Sequence, residues 1–443
     1  MVFGLLLLAS LGCSRRMCSP TSGPDSAEDA ALTGPVRHYD VELMVTTEDD
    51  GVRVVGIETL ALRPSGGRVA LDALDMSGLE VACEPACAWA YDAKMLTLSW
   101  PEPAPIEATA IVRYQATPTG GVSSGDGAIW TSFHTWRWMP STSDPSARAT
   151  LALRVHTPAG QLAIATGDGP DRPGPDDVSR FPYPAYLYGF ALGCFGLASR
   201  QAGDVRLDVW TPTACGAAER VTPELLPAAS LVLDRTSAAL ERWSAAIGRP
   251  WSLEHYVTVF VPGKAAQELA GMAFMSSGSL ETLLDDPDED WLIVHELAHQ
   301  EWGNRVTCAT WGDFWLNEAV VVWWVGEDKR IRGDEEGYAR ELRLWAERRE
   351  RALGEGADPR VRRPGVDHED AGGSLVYHAG ALIIAQLVEM VGTKAFLEAL
   401  GGWVSAAGEH DGWSLQTSNF LDALELPDAQ RRGVEATLAG SGR

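Results

Sequence analysis

The hydrophobic pattern changes its period once along the chain, near Ala217, and this change constrains the fold more than any other feature of the sequence. Before it, short alternating or β-branched segments such as YDVELMV and VRVVGIETLAL are separated by Gly, Pro and Asp turns, as is typical of strands. After it, ELLPAASLVLDRTSAALERWSAAIG has apolar residues at helical spacing and stops at Gly248. We therefore predict an α+β multidomain chain, with an all-β sandwich over residues 36–212 and a mainly α-helical domain, with a small sheet near its start, over residues 217–443.

Length and charge limit the classes of function. A chain of 443 residues exceeds one ordinary core, and its apolar fraction of 45% indicates that most of it folds. The net charge of −25 argues against a nucleic-acid partner, because phosphate binding needs clustered Lys and Arg. We expect no nucleic acid among its ligands.

The first residues, MVFGLLLLASLGC, are too few to span a bilayer but sufficient for the core of a signal peptide. Gly12 followed by Cys13 is similar to the lipobox of bacterial lipoproteins, in which the cysteine is acylated. Residues 14–35 are rich in Ser, Pro, Gly and Asp and suit a flexible tether, so that segment 1–35 would precede the folded domains. We expect an exported cell-envelope lipoprotein that contacts the membrane only through Cys13; a plain signal peptide, giving a periplasmic or secreted protein, remains the alternative.

The other cysteines fit an oxidising compartment, which permits disulfides. Cys83 and Cys87 are close enough for a small local loop, and Cys194 and Cys215 flank a predicted strand pair. Cys308 is expected to be a buried thiol.

The segment DEDWLIVHELAHQEWGN predicts one helix that presents two histidines to a common ligand. His295 and His299 are four residues apart, so both imidazoles can reach one metal ion. Glu296 can face a metal-activated water and accept its proton. An H-E-x-x-H string alone is a weak signal, because two helix-surface histidines can produce it by chance.

A second apolar helix, WGDFWLNEAVVVWWV, strengthens the metal hypothesis. It carries Glu318, and an apolar helix rarely buries a carboxylate without a partner, which a zinc ion would supply. His295, His299 and Glu318 would leave a fourth position of one Zn²⁺ per chain open for water, as catalytic zinc requires.

Several motifs together resemble the aminopeptidase N-like family of gluzincin zinc metallopeptidases. They are HELAHQEWGNRVT, WGDFWLNEAV, PAYLYGFALGCF and LVYHAGALIIAQLVEMVGTKAFLEAL. The resemblance implies a thermolysin-like zinc catalytic domain that hydrolyses peptide or protein substrates. It assigns Glu296 as the general base and Tyr377 as the phenol that stabilises the oxyanion. The chain resembles a short member that lacks the family's C-terminal helical domain, which implies a more open cleft.

One departure from the family pattern concerns substrate binding. Where the family has a Gly-x-Met-Glu-Asn loop, whose glutamate binds the free α-amine, this chain has GMAFMSSG, and the glutamate position falls on Phe274 or Met275. We expect Met272, Ala273, Phe274 and Met275 to bind an extended peptide as a strand edge. Without the carboxylate, N-acetylated peptides should be cleaved as fast as free ones or faster. The alternative is that Glu281 or an acid from the β domain binds the amine.

Two other functions remain open from the sequence. The fold could serve as a non-catalytic zinc-bearing binding module of the cell envelope, or it could hydrolyse a non-peptide substrate such as an epoxide. The presence of both Glu296 and Tyr377 favours the peptidase, since a binding module has no chemical need for either.

Overall fold

The computed structural model describes residues 34–48, 51–166, 181–215, 225–263, 266–286, 289–410 and 412–441. Cys13, the predicted signal segment and residues 14–33 of the predicted tether lie outside these residues. Within the described ranges no single helix is both long and apolar enough to cross a membrane. One bent pair, Leu375–Val391 with Thr393–Glu409, has the length and composition for it, with an angle of 113° between its helices.

The first half of the chain is built from strands, as predicted. They are β1 (Val36–Glu48), β2 (Gly51–Leu62), β3 (Arg68–Asp72), β4 (Ser77–Glu84), β5 (Ala88–Tyr91), β6 (Met95–Ser99), β7 (Ala108–Ala116), β8 (Val122–Gly125), β9 (Ala128–Thr131), β10 (Arg148–His156), β11 (Leu162–Ala165), β12 (Tyr183–Pro184), β13 (Phe190–Gly193), β14 (Phe195–Ala202) and β15 (Val205–Pro212).

Three sheets make up most of this half. The largest has the order β12-β10-β1-β2-β7-β4, and the others have the orders β3-β6-β5 and β11-β13-β9-β8. Along β2 the buried and more accessible residues alternate, because successive side chains point to opposite faces of a strand. The buried face forms a core around Leu43, Leu60 and Val112. One member of that face is Glu58, a fully buried carboxyl to which no described residue gives a hydrogen bond.

The second half contributes helices and a few strands. In chain order these are α1 (Leu226–Ile247), β16 (His255–Val261), β17 (Gln267–Leu269), β18 (Met272–Ser276), α2 (Ser277–Asp285), α3 (Trp291–His299), β19 (Val306–Cys308), α4 (Trp315–Ile331), α5 (Glu335–Gly354), a π-helix (Leu375–Ala379), α6 (Gly380–Val391), α7 (Thr393–Glu409), β20 (Trp413–Leu415), α8 (Thr417–Ala423) and α9 (Asp428–Leu438). Helix α1 ends at Gly248, which has a left-handed φ of 67° that favours glycine, so the predicted stop is confirmed.

One sheet crosses the predicted domain boundary. Its order is β14-β15-β16-β18-β17, and β15 pairs in parallel with β16 from Arg206↔His255 to Trp210↔Val259. The boundary placed after residue 212 therefore does not coincide with the limits of the sheets, because the last hairpin of the first half completes the sheet of the second. Val205, Leu207 and Val209 also pack in the helical core.

The two predicted disulfides form, between Cys83 and Cys87 and between Cys194 and Cys215. Cys308 is a buried free thiol, as expected, and burial raises the pKa of its thiol.

A buried arginine joins the two halves. Arg148, at the start of β10, donates from its guanidinium to the backbone oxygens of Pro182 (3.3 Å), Asn304 (3.3 Å), Arg305 (2.9 Å) and Trp413 (3.2 Å). No carboxylate pairs with it in the described part of the chain, and burial lowers its pKa to about 10. The contact is close: a Cβ added at Gly412 would lie 2.4 Å from a guanidinium nitrogen.

Candidate active site

Helices α3 and α4 bring the three predicted metal ligands together. His295 and His299 are buried on α3, with their Nε2 atoms 3.1 Å apart. Glu318 is buried on α4, and its Oε2 lies 3.6 Å from Nε2 of His295 and 3.4 Å from Nε2 of His299. Each residue thus offers a ligand atom within 4.8 Å of the others.

The turn that follows α3 fixes the orientation of His299. Its Nδ1 donates to the carbonyl oxygen of Trp302 (3.2 Å), so the proton of a neutral ring resides on Nδ1 and the lone pair of Nε2 faces Glu318. Gly303, with φ 116°, allows this approach: a Cβ there would lie 2.5 Å from Nδ1 of His299.

The start of α4 is tied to the same turn. The indole of Trp302 donates to the carbonyl oxygen of Leu316 (2.8 Å). The side chain of Asn317 accepts from the backbone N–H of Cys308 (2.8 Å) and donates to the hydroxyl of Tyr186 (3.2 Å), a residue of the first half. Glu318 is therefore positioned by the residue before it.

The cluster fits a cation. Oε2 of Glu318 is buried and has no hydrogen-bond partner among the described residues, although it faces two imidazole nitrogens. Desolvation alone would lower the pKa of His299, but Glu318, Glu268 and Glu296 outweigh it and raise that pKa to about 10. The surrounding carboxylates thus attract positive charge to this point. Two imidazoles and one carboxylate with an open fourth position are a donor set of catalytic zinc.

Glu296 and Tyr377 lie in the same cavity as His295 and Glu318, with a volume of about 340 Å³. Desolvation raises the pKa of Glu296 well above its usual value, and Glu268 and Glu318 add to this against the opposing effect of His299. A raised pKa suits a carboxylate that accepts a proton near neutral pH. Desolvation and the charges of Glu318 and Glu268 also raise the pKa of Tyr377, so its phenol stays a donor.

A further carboxylate, not predicted from the sequence, lines this cavity. Glu268 lies on β17 and is 3% exposed, and in the part of the chain that the structure describes its Oε1 has no hydrogen-bond partner. Desolvation raises the pKa of Glu268 to about 7; His299 acts in the opposite direction, while Glu318 raises it further. Next to it, Gln267 accepts from the backbone N–H of Phe133 (3.0 Å), which links β17 to the first half.

The geometry of the three ligands alone suits more than one kind of zinc hydrolase. The family model described as "Peptidase family M1 domain" matches residues 232–437, a stretch that contains every ligand together with Glu296 and Tyr377. Residues 232–437 are thus similar to a peptidase family M1 domain. Zinc is the metal of such domains, in agreement with the donor set.

Similar proteins extend the likeness beyond the M1 domain. Mouse "Aminopeptidase B" is 26% identical over 322 residues, covering 68% of this chain and 46% of that protein. "Leucine aminopeptidase 2" of Eremothecium gossypii is 30% identical over 224 residues, 48% of this chain and 33% of that one. The chain spans less than half the length of these curated relatives.

Solved structures agree in fold. An M1 zinc metallopeptidase from Deinococcus radiodurans has a TM-score of 0.73 at 22% identity, covering 95% of this chain and 98% of that one. Yeast LTA4 hydrolase has a TM-score of 0.74 at 19% identity, covering 96% of this chain and 71% of that one. The predicted fold, a β-rich domain followed by a helical zinc domain, is thereby confirmed.

The four residues predicted to bind substrate do not lie at an edge of the M1 domain's sheet. Met272, Ala273, Phe274 and Met275 form β18, which pairs with β16 on one side and β17 on the other, and all four are buried. None of them lines the cavity of the metal ligands. The predicted strand edge is wrong because a tight turn at Gly271 (φ 70°) reverses the chain, so that β17 is the edge strand.

The expectation that the family's amine-binding glutamate is missing stays a prediction, but the cavity does contain a carboxylate that the sequence comparison did not point to, that of Glu268. Glu268 precedes the turn at Gly271, whereas the segment GMAFM, which was compared with the family's amine-binding loop, begins at this turn. The sequence feature that could have indicated Glu268 is an acidic residue within the apolar stretch QELAGMAFM. Glu318 is likewise an acidic residue in an apolar helix. The side chain of Glu281, the other candidate, lies outside the described part of the structure.

Proposed function

We propose that this protein is a zinc-dependent aminopeptidase, which removes the N-terminal residue of peptides. The observation that carries the proposal is the buried carboxylate of Glu268 in the cavity that His295, Glu318 and Glu296 also line. An ammonium group that enters such a cavity loses its hydration, and a carboxylate without another partner compensates for this loss. The names of the relatives, "Aminopeptidase B" and "Leucine aminopeptidase 2", support the same activity.

The residues of the site divide the chemistry among them. His295, His299 and Glu318 would hold the zinc, which when bound polarises the scissile carbonyl and makes water more acidic. Glu296 accepts a proton from the attacking water and delivers it to the departing amine. Tyr377 donates a hydrogen bond to the oxygen on which negative charge develops.

Glu268 and the edge of β17 would determine which peptide bond of the substrate lies at the metal site. The carboxylate holds the α-amine, so the first peptide bond is the one presented to Glu296. Among the described strands β17 is the last of its sheet, and an extended peptide can add to such an edge. The Deinococcus structure contains a Tyr-Ser-Ala substrate, which is a short peptide of the kind expected here.

The test compares a peptide with its N-acetylated form, on wild type and on Glu268→Gln, each loaded with zinc. We expect wild type to favour the free amine in kcat/KM by at least about tenfold, since a hydrogen bond to a charged group contributes about 1.5–3 kcal/mol. Glu268→Gln should remove most of this preference. Glu289→Gln is the control, because Glu289 also lines the cavity but is partly exposed near Arg340. Equal rates on both peptides with wild type would reject the proposal.

The site of action is part of the proposal. Two disulfides suit an oxidising compartment, which supports export of the protein. A lipid anchor at Cys13 would keep it at the cell envelope. Substituting Cys13→Ser and following the protein between membrane and soluble fractions tests this part separately from the activity.

A further inference from the structure

One face of α5 forms a wall of the active-site cavity. Glu341, Leu344, Trp345 and Arg348 all line it, at the spacing of residues that share one side of a helix. Two of the four are charged. Glu341 already has a partner, since Lys329 donates to its carboxylate at 2.6 Å.

Arg348 is held by a neutral partner. Its Nη1 lies 2.8 Å from Nε2 of His378. The other ring nitrogen of His378, Nδ1, is 3.0 Å from the carbonyl oxygen of Ser374, which can only accept, so Nδ1 carries the proton and Nε2 accepts from Arg348. In the described part of the chain no carboxylate pairs directly with Arg348, which lines the same cavity as the metal ligands His295 and Glu318.

The position of Arg348 relative to Glu268 follows from the packing of the helices. Strand β17 packs on α3, α3 packs on α4, and α4 packs on α5 and on the π-helix that carries His378. In this series of contacts the two helices with the metal ligands separate β17, which carries Glu268, from α5, which carries Arg348. If Glu268 holds the amine, as the proposed function requires, the leaving half of the substrate extends towards Arg348.

We infer that Arg348, oriented by His378, binds a carboxylate on the leaving-group side of the substrate. A guanidinium recognises a carboxylate through paired N–H donors, and one of its nitrogens is already fixed by His378. Two sources present this group close to the scissile bond: the C-terminal carboxylate of a dipeptide, and an acidic side chain in the residue after that bond. Arg348 then selects short or acidic peptides. This inference rests on the proposed function, because the position of the amine at Glu268 decides which end of the substrate reaches Arg348.

Binding and turnover test the inference separately. The binding arm uses zinc-loaded Glu296→Gln, which should hold peptides without cleaving them. Calorimetry compares a dipeptide with its C-terminal amide, and a Xaa-Glu amide with the matching Xaa-Gln amide. The turnover arm measures kcat and KM separately for wild type on the same four compounds, with the N-terminal residue that is released fastest.

We expect at least one carboxylate compound to bind about tenfold more tightly than its neutral match, and the difference should appear in KM rather than in kcat. A preference within the first pair assigns the terminal carboxylate, and one within the second assigns the side chain. Adding Arg348→Gln should bring the ratio of the two dissociation constants within a pair close to one. Adding Arg343→Gln, an exposed arginine of α5 outside the cavity, should leave it unchanged.

Equal dissociation constants within both pairs would overturn the inference, as would a preference that survives Arg348→Gln. Failure of the proposed function has a different signature, because no N-terminal residue would be released from any of the four compounds. In that case the binding arm still decides whether Arg348 recognises carboxylates.

Discussion

Replacement of Arg148 by lysine should destabilise the protein far more than a conservative exchange usually does. The guanidinium of Arg148 serves four backbone oxygens, from Pro182, Asn304, Arg305 and Trp413, at 2.9–3.3 Å. A lysine has a single nitrogen and cannot reproduce this planar fork. Each buried oxygen that loses its donor costs about 1–3 kcal/mol, so two such losses amount to about 2–6 kcal/mol. This is a large part of the roughly 5–15 kcal/mol that stabilises a domain.

Urea denaturation followed by tryptophan fluorescence measures the effect, and the same strand provides the control. Arg154, also on β10, pairs with Asp40 at 2.9 Å but is 48% exposed, so Arg154→Lys should change the free energy of unfolding by less than about 1 kcal/mol. Arg148→Lys should also weaken zinc binding, since the oxygens of Asn304 and Arg305 lie just beyond His299. An Arg148→Lys protein as stable as Arg154→Lys would refute the reasoning.

Four further predictions concern the metal, the base, the phenol of Tyr377 and a buried acid. Purified protein should contain about one zinc per chain and lose hydrolysis on chelation, and an active preparation without a transition metal would contradict the metal site. Glu296→Gln should keep its zinc but slow turnover by at least about 100-fold, and Tyr377→Phe should do the same to a lesser degree; metal analysis with steady-state kinetics checks both. Burial raises the pKa of Glu58 well above 4.5, so its contribution to stability is complete below about pH 4.5 and declines as pH rises towards the folded pKa, by about 1.4 kcal/mol per pH unit. Glu58→Gln should flatten this decline in urea titrations between about pH 5 and pH 8, and an unchanged slope would argue against it.

The zinc ligands could be predicted because their signals are local. His295 and His299 are separated by about one helical turn, and Glu318 is an acid in an otherwise apolar helix, so each is conspicuous within its own element. For the three side chains to reach one metal ion, it is then sufficient that two neighbouring helices pack together. The overall order of a β-rich half and a helical half is likewise visible in the hydrophobic period.

The missed features depend on contacts between distant segments. Whether Glu268 or Phe274 faces the cavity is decided by the strand order β16-β18-β17, and a short turn at Gly271 exchanges which of two adjacent strands lies at the edge. The role of Arg148 depends on carbonyl groups more than 150 positions away in the chain, and backbone oxygens leave no mark in a sequence. In the sequence Arg348 cannot be distinguished from other exposed helical arginines, because its contact with His378 exists only in the folded chain.

The hairpin β14–β15 determines where the chain can be cut into a fragment that folds, or into a unit that recombination can transfer. Residues 217–443 expressed alone would leave β16, a strand of seven buried residues, with an unpaired edge, and such an edge promotes aggregation. A recombination event or a cloning boundary at the change of hydrophobic period would therefore cut through a sheet. The smallest transferable module that carries the zinc site begins before Phe195 and takes the hairpin with it.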